Sequence, residues 1–86
     1  MNERTMSLEE KIRTLFAIVL NEEPERITDE TRPADLARWD SLQHLILVSS
    51  FEEEFNVNID PGEVAEMYKD FRSFKGVILQ RMKHVS

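Results

Sequence analysis

The chain has 86 residues, of which 41% are hydrophobic and 33% are charged, a balance typical of one small folded domain spanning residues 1–86. The formal net charge of −6 argues against nucleic acid and anionic membrane as partners, because both attract positive surfaces, and it favours basic protein surfaces instead. There is no cysteine, which excludes disulfides and thiol chemistry from the chain's own side chains and fits a cytoplasmic protein, which we expect to be a monomer.

Apolar residues recur at helical spacing in four segments. We expect these helices near residues 7–21, 40–55, 61–68 and 73–83. Ser7 has capping-box spacing with Glu10 at the first helix, and Asp60 has the same spacing with Glu63 at the third. No segment shows the sustained alternation of a strand. The sequence therefore predicts an all-α fold, a four-helix bundle with a short third helix and a long loop between helices one and two.

The long loop covers residues 22–39, and we expect Ile27 and Leu36 to anchor it in the core. The second helix begins at Asp40, which can cap it together with Gln43. A helix this apolar is expected at the centre of the bundle, touched on more than one side. Its predicted buried stripe consists of Leu42, Leu45, Val48 and Phe55, widened by Leu47 and Phe51.

Nothing in the chain has the arrangement of a catalytic site. The two histidines, His44 and His84, are far apart in sequence and have no cysteine beside them, so we expect no metal site. A Ser–His–Asp triad would use Ser41, but a helical chain this small offers no evident oxyanion hole. We interpret His44 as a surface residue beside Ser41, and we expect a protein that is not an enzyme.

The segment from Trp39 to Leu42 lies where the long loop enters the second helix. Ser41 is then the first helical residue, with its hydroxyl at the positive end of the helix dipole. That end of a helix favours a phosphate group. A phosphodiester on Ser41 would therefore be stabilised electrostatically while staying exposed.

Further motifs follow this segment. They are the run from Phe51 to Phe55 with three glutamates inside it, the Val57-Asn58-Ile59 segment, Glu63 with Ala65, and Ser73-Phe74. Together with Asp40-Ser41-Leu42 at the start of the second helix, these motifs give the chain a resemblance to the acyl carrier protein family. The resemblance runs from about Leu8 to Met82, nearly the whole chain.

The resemblance implies a bundle of acyl-carrier type that carries cargo without being a catalyst. It implies that a separate phosphopantetheinyl transferase, with Mg²⁺, moves 4′-phosphopantetheine from coenzyme A to Ser41. Asp40 would help position that metal, and Leu42 would lie beside the attachment point. The terminal thiol of the arm would then hold an acyl group as a thioester, which the chain's own side chains cannot do.

The resemblance also implies a docking surface around the arm for acyl-loading and acyl-transferring enzymes with basic surfaces. Its expected residues are Trp39, Gln43, Ile46, Glu52 and Glu53. Trp39 stands where many fatty-acid carriers have glycine, and Gln43 and Ile46 stand where many have acidic residues. We therefore expect a small apolar docking spot at Ile46. Trp39 has two interpretations, as a hydrophobic staple against the second helix or as part of the surface around the arm.

Three functions stay open on the sequence. The first is a carrier for a specialised pathway, with a polyketide, a lipid precursor or an aminoacyl or peptidyl group as cargo. The second is a carrier of ordinary fatty-acid synthesis. The third is an unmodified helical adaptor that uses the same fold to bind proteins.

Overall fold

The computed structural model describes residues 6–83, which form four α-helices joined by loops. The helices are α1 (Leu8–Leu20), α2 (Ser41–Phe55), α3 (Pro61–Met67) and α4 (Phe71–Lys83). Residues 6–83 contain no strand, so the expected all-α bundle with a short third helix is confirmed. Over the same residues no helix is long and apolar enough to cross a membrane. His84 lies outside the described residues.

Local hydrogen bonds set the ends of the first two helices. Ser7 and Glu10 form the predicted capping box at α1, where the Glu10 backbone N–H donates to Ser7 Oγ at 3.1 Å. Asn21 follows α1 in the left-handed conformation, with φ 59°, and Asn56 ends α2 in the same way, with φ 55°. Asparagine tolerates this conformation better than most residues, which makes it a suitable helix stop.

The long loop between α1 and α2 is folded onto the bundle. It contains two single-turn 3₁₀ helices, Pro24–Arg26 and Pro33–Asp35. Ile27 and Leu36, which directly follow these turns, are buried in the core as predicted. The loop is therefore a structural layer of the domain, which explains why so long a connection is tolerated in so small a protein.

The fourth helix begins at Phe71, two residues earlier than predicted from Ser73. The Asp70 carboxylate accepts the Ser73 backbone N–H at 2.8 Å and so caps the first turn. The Phe71 backbone N–H donates to the Thr31 carbonyl in the long loop at 2.8 Å. The start of α4 thus has a local cap at Asp70, whose spacing from Ser73 is visible in the sequence, and a further hydrogen bond to a distant loop, which no local pattern predicts.

An aromatic cluster holds the helices together. The ring centre of Phe16 in α1 lies 4.9 Å from Trp39 in the loop, 4.9 Å from Phe71 and 5.1 Å from Phe74 in α4, each in an edge-to-face arrangement. Phe51 in α2 makes a similar contact with Phe74 at 4.9 Å. Such pairs contribute about 0.5–1.5 kcal/mol each beyond the area they bury. The cluster therefore joins α1, α2, α4 and the loop into one core.

The buried face of α2 differs from the predicted stripe. The residues of α2 that are buried are His44, Leu47, Val48 and Phe51. Leu42 and Leu45 are 66% and 57% exposed, so the prediction that they lie in the core is wrong. Because α2 is apolar around most of its circumference, its own periodicity could not select the face that packs inward.

Trp39 is only 1% exposed, so the prediction that it forms part of the docking surface is wrong. Its ring lies in the aromatic cluster, and its Nε1–H donates to Nδ1 of His44 at 3.1 Å. Trp39 precedes the N-cap residue Asp40, and His44 is the fourth residue of α2. These are the two positions that pair in a hydrophobic staple, which is the interpretation of Trp39 that the structure supports.

His44 is 4% exposed, so its assignment to the surface is also wrong. The Trp39 indole can only donate, so Nδ1 of His44 is the acceptor and Nε2 carries the proton. That Nε2–H donates to the Val64 carbonyl of α3 at 2.7 Å. We call these two hydrogen bonds the Trp39–His44–Val64 chain. It links the long loop, α2 and α3.

Burial lowers the pKa of His44 below its ordinary value of 6.5, because a charged imidazolium would lose its hydration, while the hydrogen bond to the Val64 carbonyl opposes the shift. The titratable side chain that packs against the imidazole is Tyr68, whose ring centre is 4.8 Å away and whose ring plane is tilted by 43°. Protonation of Nδ1 would also place its N–H opposite the indole N–H of Trp39, so that two donors would face each other without an acceptor. The folded protein therefore favours neutral His44.

The lowered pKa predicts a loss of stability in mild acid. Because the folded pKa is below the unfolded one, the unfolded chain takes up the proton first as the pH falls. The contribution of neutral His44 is complete above about pH 6.5 and is lost as the pH falls toward the lowered folded value. We predict that the Tm of the parent falls more steeply below pH 6.5 than that of His44→Gln, whose amide does not titrate. Thermal melts over a pH series check this, and parallel curves would contradict it.

Candidate functional site

Ser41 is exposed and is the first residue of α2. Asp40 precedes it with an extended backbone, and Asp40 Oδ1 accepts the Gln43 backbone N–H at 2.8 Å. The Asp40 carbonyl accepts the His44 backbone N–H, also at 2.8 Å. These bonds fix the backbone around Ser41, so the hydroxyl stands on an ordered helix start.

This helix start suits the phosphate ester that the family resemblance implies. The first backbone N–H groups of a helix have no partner inside it, and the helix dipole is positive at that end. The Asp40 side chain accepts the Gln43 backbone N–H. The backbone N–H groups of Ser41 and Leu42 have no acceptor within the helix, because they belong to its first turn. An exposed hydroxyl here can take a phosphodiester without burying its charge. The residues present therefore fit the arm.

Three apolar side chains face solvent on the first turns of α2, next to Ser41. Leu42 and Leu45 are the most exposed, and Ile46 is 44% exposed, as expected for a surface residue. Because neighbours three and four apart share a helix face, the three side chains lie together. We call them the apolar patch. The docking role expected for Ile46 stays a prediction.

The remaining expected docking residues have different surroundings. Gln43 is half-buried, and Glu53 is exposed. Glu52 is half-buried, and its carboxylate accepts the Ile59 backbone N–H at 2.8 Å, so it also holds the segment after α2 in place. At 1.5 Å of rise per residue, Glu53 lies about 18 Å along the helix from Ser41. The acidic end of α2 and the apolar patch are therefore separate surfaces.

Within residues 6–83, no group of three or more His, Cys, Asp or Glu side chains is arranged to hold a metal ion. Asp40 could contribute one carboxylate to a Mg²⁺ ion. Magnesium commonly binds through one or two carboxylates together with phosphates and water, so further ligands would come from the other participants in the reaction.

The Trp39–His44–Val64 chain was not among the features predicted from the sequence. Part of its signal was available, since Trp39 and His44 occupy staple positions around the Asp40 cap. The other part was not, because no local feature of the sequence connects His44 with a carbonyl on α3.

Known proteins resemble this chain over most of its length. A family model for the phosphopantetheine attachment site matches residues 10–78. An acyl carrier protein from Caulobacter vibrioides is 37% identical over 57 residues, covering 66% of this chain and 72% of that protein. One from Thermosynechococcus vestitus is 38% identical over 60 residues, covering 70% and 73%.

The same architecture occurs in the solution NMR structure of a holo acyl carrier protein from Geobacter metallireducens. The two structures superimpose with a TM-score of 0.78, covering 88% of this chain and 86% of the other, at 22% sequence identity. That likeness establishes the fold, while the family match covers most of the chain and establishes the prosthetic group. The chain therefore belongs to the acyl carrier protein family, whose members are non-catalytic carriers, and its prosthetic group is 4′-phosphopantetheine.

Proposed function

We propose that Ser41 is the attachment residue and that the protein carries acyl groups as thioesters on the arm bound there. The observation that carries this proposal is the position of Ser41, exposed at the capped start of α2 inside the segment matched by the family model. Ser49 is also exposed on α2, but it lies in the interior of the helix, away from the positive end of the dipole.

Attachment needs a phosphopantetheinyl transferase, coenzyme A and Mg²⁺. The Ser41 oxygen would form a bond to the phosphorus that bears the pantetheine group, the pyrophosphate bond of coenzyme A would break, and adenosine 3′,5′-diphosphate would leave. The Ser41 proton would pass to a base of the transferase. Asp40 would supply one carboxylate near the metal while keeping its capping bond to Gln43. The arm then provides the thiol that the chain lacks.

The surface around Ser41 supports a carrier for a specialised acyl pathway. The apolar patch has no charge, and the first turn of α2 has no acidic residue. Partners would therefore make apolar contacts near the arm, while Glu53 steers basic partners from the far end of the helix. The cargo would be a fatty-acid intermediate, a polyketide intermediate or an aminoacyl group. The match to the phosphopantetheine attachment family favours any of these cargoes over an unmodified adaptor. A monomer in the cytoplasm belongs to the same proposal, since a chain without cysteine suits a reducing compartment.

The attachment residue is tested by mass spectrometry. Incubation with coenzyme A, Mg²⁺ and a broad-specificity transferase should add the mass of one phosphopantetheine group, and peptide mapping should locate it at Ser41. Ser41→Ala should fold normally and gain nothing. Ser49→Ala, a matched change at another exposed serine of α2, should be modified like the parent. Modification of the Ser41→Ala protein would contradict the proposal.

The two roles of Asp40 can be separated with two substitutions. Asp40→Ala should lose about 1 kcal/mol of stability with its cap and should also be modified slowly. Asp40→Asn should keep the cap, because asparagine is an equally good N-cap residue, yet it loses the charge beside the metal. We therefore expect Asp40→Asn to have a Tm close to that of the parent but to be modified more slowly than the parent. An unchanged rate in Asp40→Asn would leave Asp40 with a capping role alone.

Partner choice is tested at Ile46. Because Ile46 is 44% exposed, Ile46→Glu should change stability by less than about 0.5 kcal/mol. It should weaken binding to the native partner and improve recognition by enzymes of general fatty-acid synthesis, whose usual carriers have acidic residues here. Binding and transfer assays with both sets of enzymes measure this.

Ile18→Glu is the matched control for the Ile46 experiment. Ile18 is an exposed isoleucine on α1, so its substitution changes the net charge equally without touching the apolar patch. Equal effects of Ile18→Glu and Ile46→Glu would mean that charge alone, and not the patch, governs recognition.

A further inference from the structure

A buried indole N–H and a part-buried carbonyl both need hydrogen-bond partners, and the His44 side chain serves both. The Trp39 indole N–H is buried and needs an acceptor. The Val64 carbonyl is in the last turn of α3, where the helix supplies no donor, and the next available N–H, that of Tyr68, bonds to Ala65 instead. His44 accepts from the first group and donates to the second.

His44 can satisfy both groups because the neutral imidazole has an acceptor and a donor on different edges. Both hydrogen bonds run in the same direction, from Trp39 to Nδ1 and from Nε2 to Val64. Among the described residues no buried side-chain nitrogen or oxygen lacks a partner. An apolar residue at position 44 would leave one buried donor and one carbonyl unpaired, and the local structure would have to rearrange to expose them.

The residues on both sides of the attachment segment are held by these hydrogen bonds. Asp40 and Ser41 lie between Trp39, which is fixed in the aromatic cluster, and His44, which is fixed to α3. The backbone bond from His44 N–H to the Asp40 carbonyl closes the turn. The angle at which α2 leaves the loop, and so the place of Ser41 on the surface, is set from both sides.

We propose that His44 is a positioning residue for the modification of Ser41, acting through its hydrogen bonds to Trp39 and Val64. This rests on the proposed function, in which Ser41 receives the arm. The transferase must bring the Ser41 hydroxyl into line with the phosphorus of coenzyme A, and small displacements of a reacting group slow such steps strongly. The side chains of the apolar patch take part in neither hydrogen bond, so we expect loss of the two bonds to slow the chemical step more than it weakens docking.

The test is a double-mutant cycle on the full chain, above the ordinary histidine pKa of 6.5. Trp39→Phe keeps an aromatic ring but removes the N–H, and His44→Leu removes both ring hydrogen bonds. We expect each to lower kcat for Ser41 modification about tenfold with KM within about twofold, and we expect the double variant to be no worse than His44→Leu alone. His44→Gln, whose amide offers a donor and an acceptor, should recover most of the rate.

Two controls separate positioning from general loss of stability. Val57→Ala removes buried apolar volume after α2 and should destabilise the fold without changing kcat. Nitrogen NMR of the parent should show His44 with Nδ1 unprotonated and Nε2 protonated, and the Trp39 indole N–H signal should move in His44→Leu.

The outcomes distinguish the two proposals. If the parent is modified at Ser41 but Trp39→Phe and His44→Leu react at the parent rate, or if Val57→Ala slows the reaction as much as they do, the positioning role is overturned and the attachment residue stands. If the parent is not modified at Ser41 at all, the proposed function fails and the positioning role falls with it. Strictly additive losses in the cycle would also overturn the role, because two residues acting through one hydrogen bond cannot act independently.

Discussion

A buried indole N–H with no acceptor of its own is a constraint that shapes much of this small domain. The Trp39 ring is buried and packs edge-on against Phe16, so its N–H must find a partner inside the protein. His44 supplies the acceptor only when the start of α2 turns it inward. Its other ring nitrogen then reaches α3. The hydrogen-bonding requirement of this indole thus ties the start of α2 to the aromatic cluster on one side and to α3 on the other.

The rotation of α2 decides what the protein presents to its partners. With His44, Leu47 and Phe51 facing the core, the opposite face of the helix must carry Leu42 and Ile46 into solvent. The apolar patch next to the attachment site is therefore a geometric consequence of the internal packing. Large apolar side chains that are left exposed in a group are typical of surfaces that other proteins cover.

The long loop and the acidic end of α2 show how few residues here have a single role. The loop supplies Ile27, Leu36 and Trp39 to the core, so a domain with only four short helices still encloses a continuous aromatic centre. Glu52 belongs to a negatively charged run, yet it also accepts the backbone N–H of Ile59. The charge that is free to attract basic partners is therefore that of the exposed Glu53 and Glu54, which lie about 18 Å or more along the helix from Ser41.

The sequence by itself determined the features that depend on near neighbours along the chain. Capping by Ser7 and Asp40, the asparagine stop after α2 and the position of Ser41 at a helix start all follow from residues within about one turn of each other, so they could be predicted. The tertiary structure alone decided which face of α2 is buried, how the long loop joins the start of α4 and that His44 and Trp39 lie inside. These depend on Val64, Thr31 and the aromatic cluster, which are remote in sequence, and no periodicity within one helix encodes a partner that lies on another.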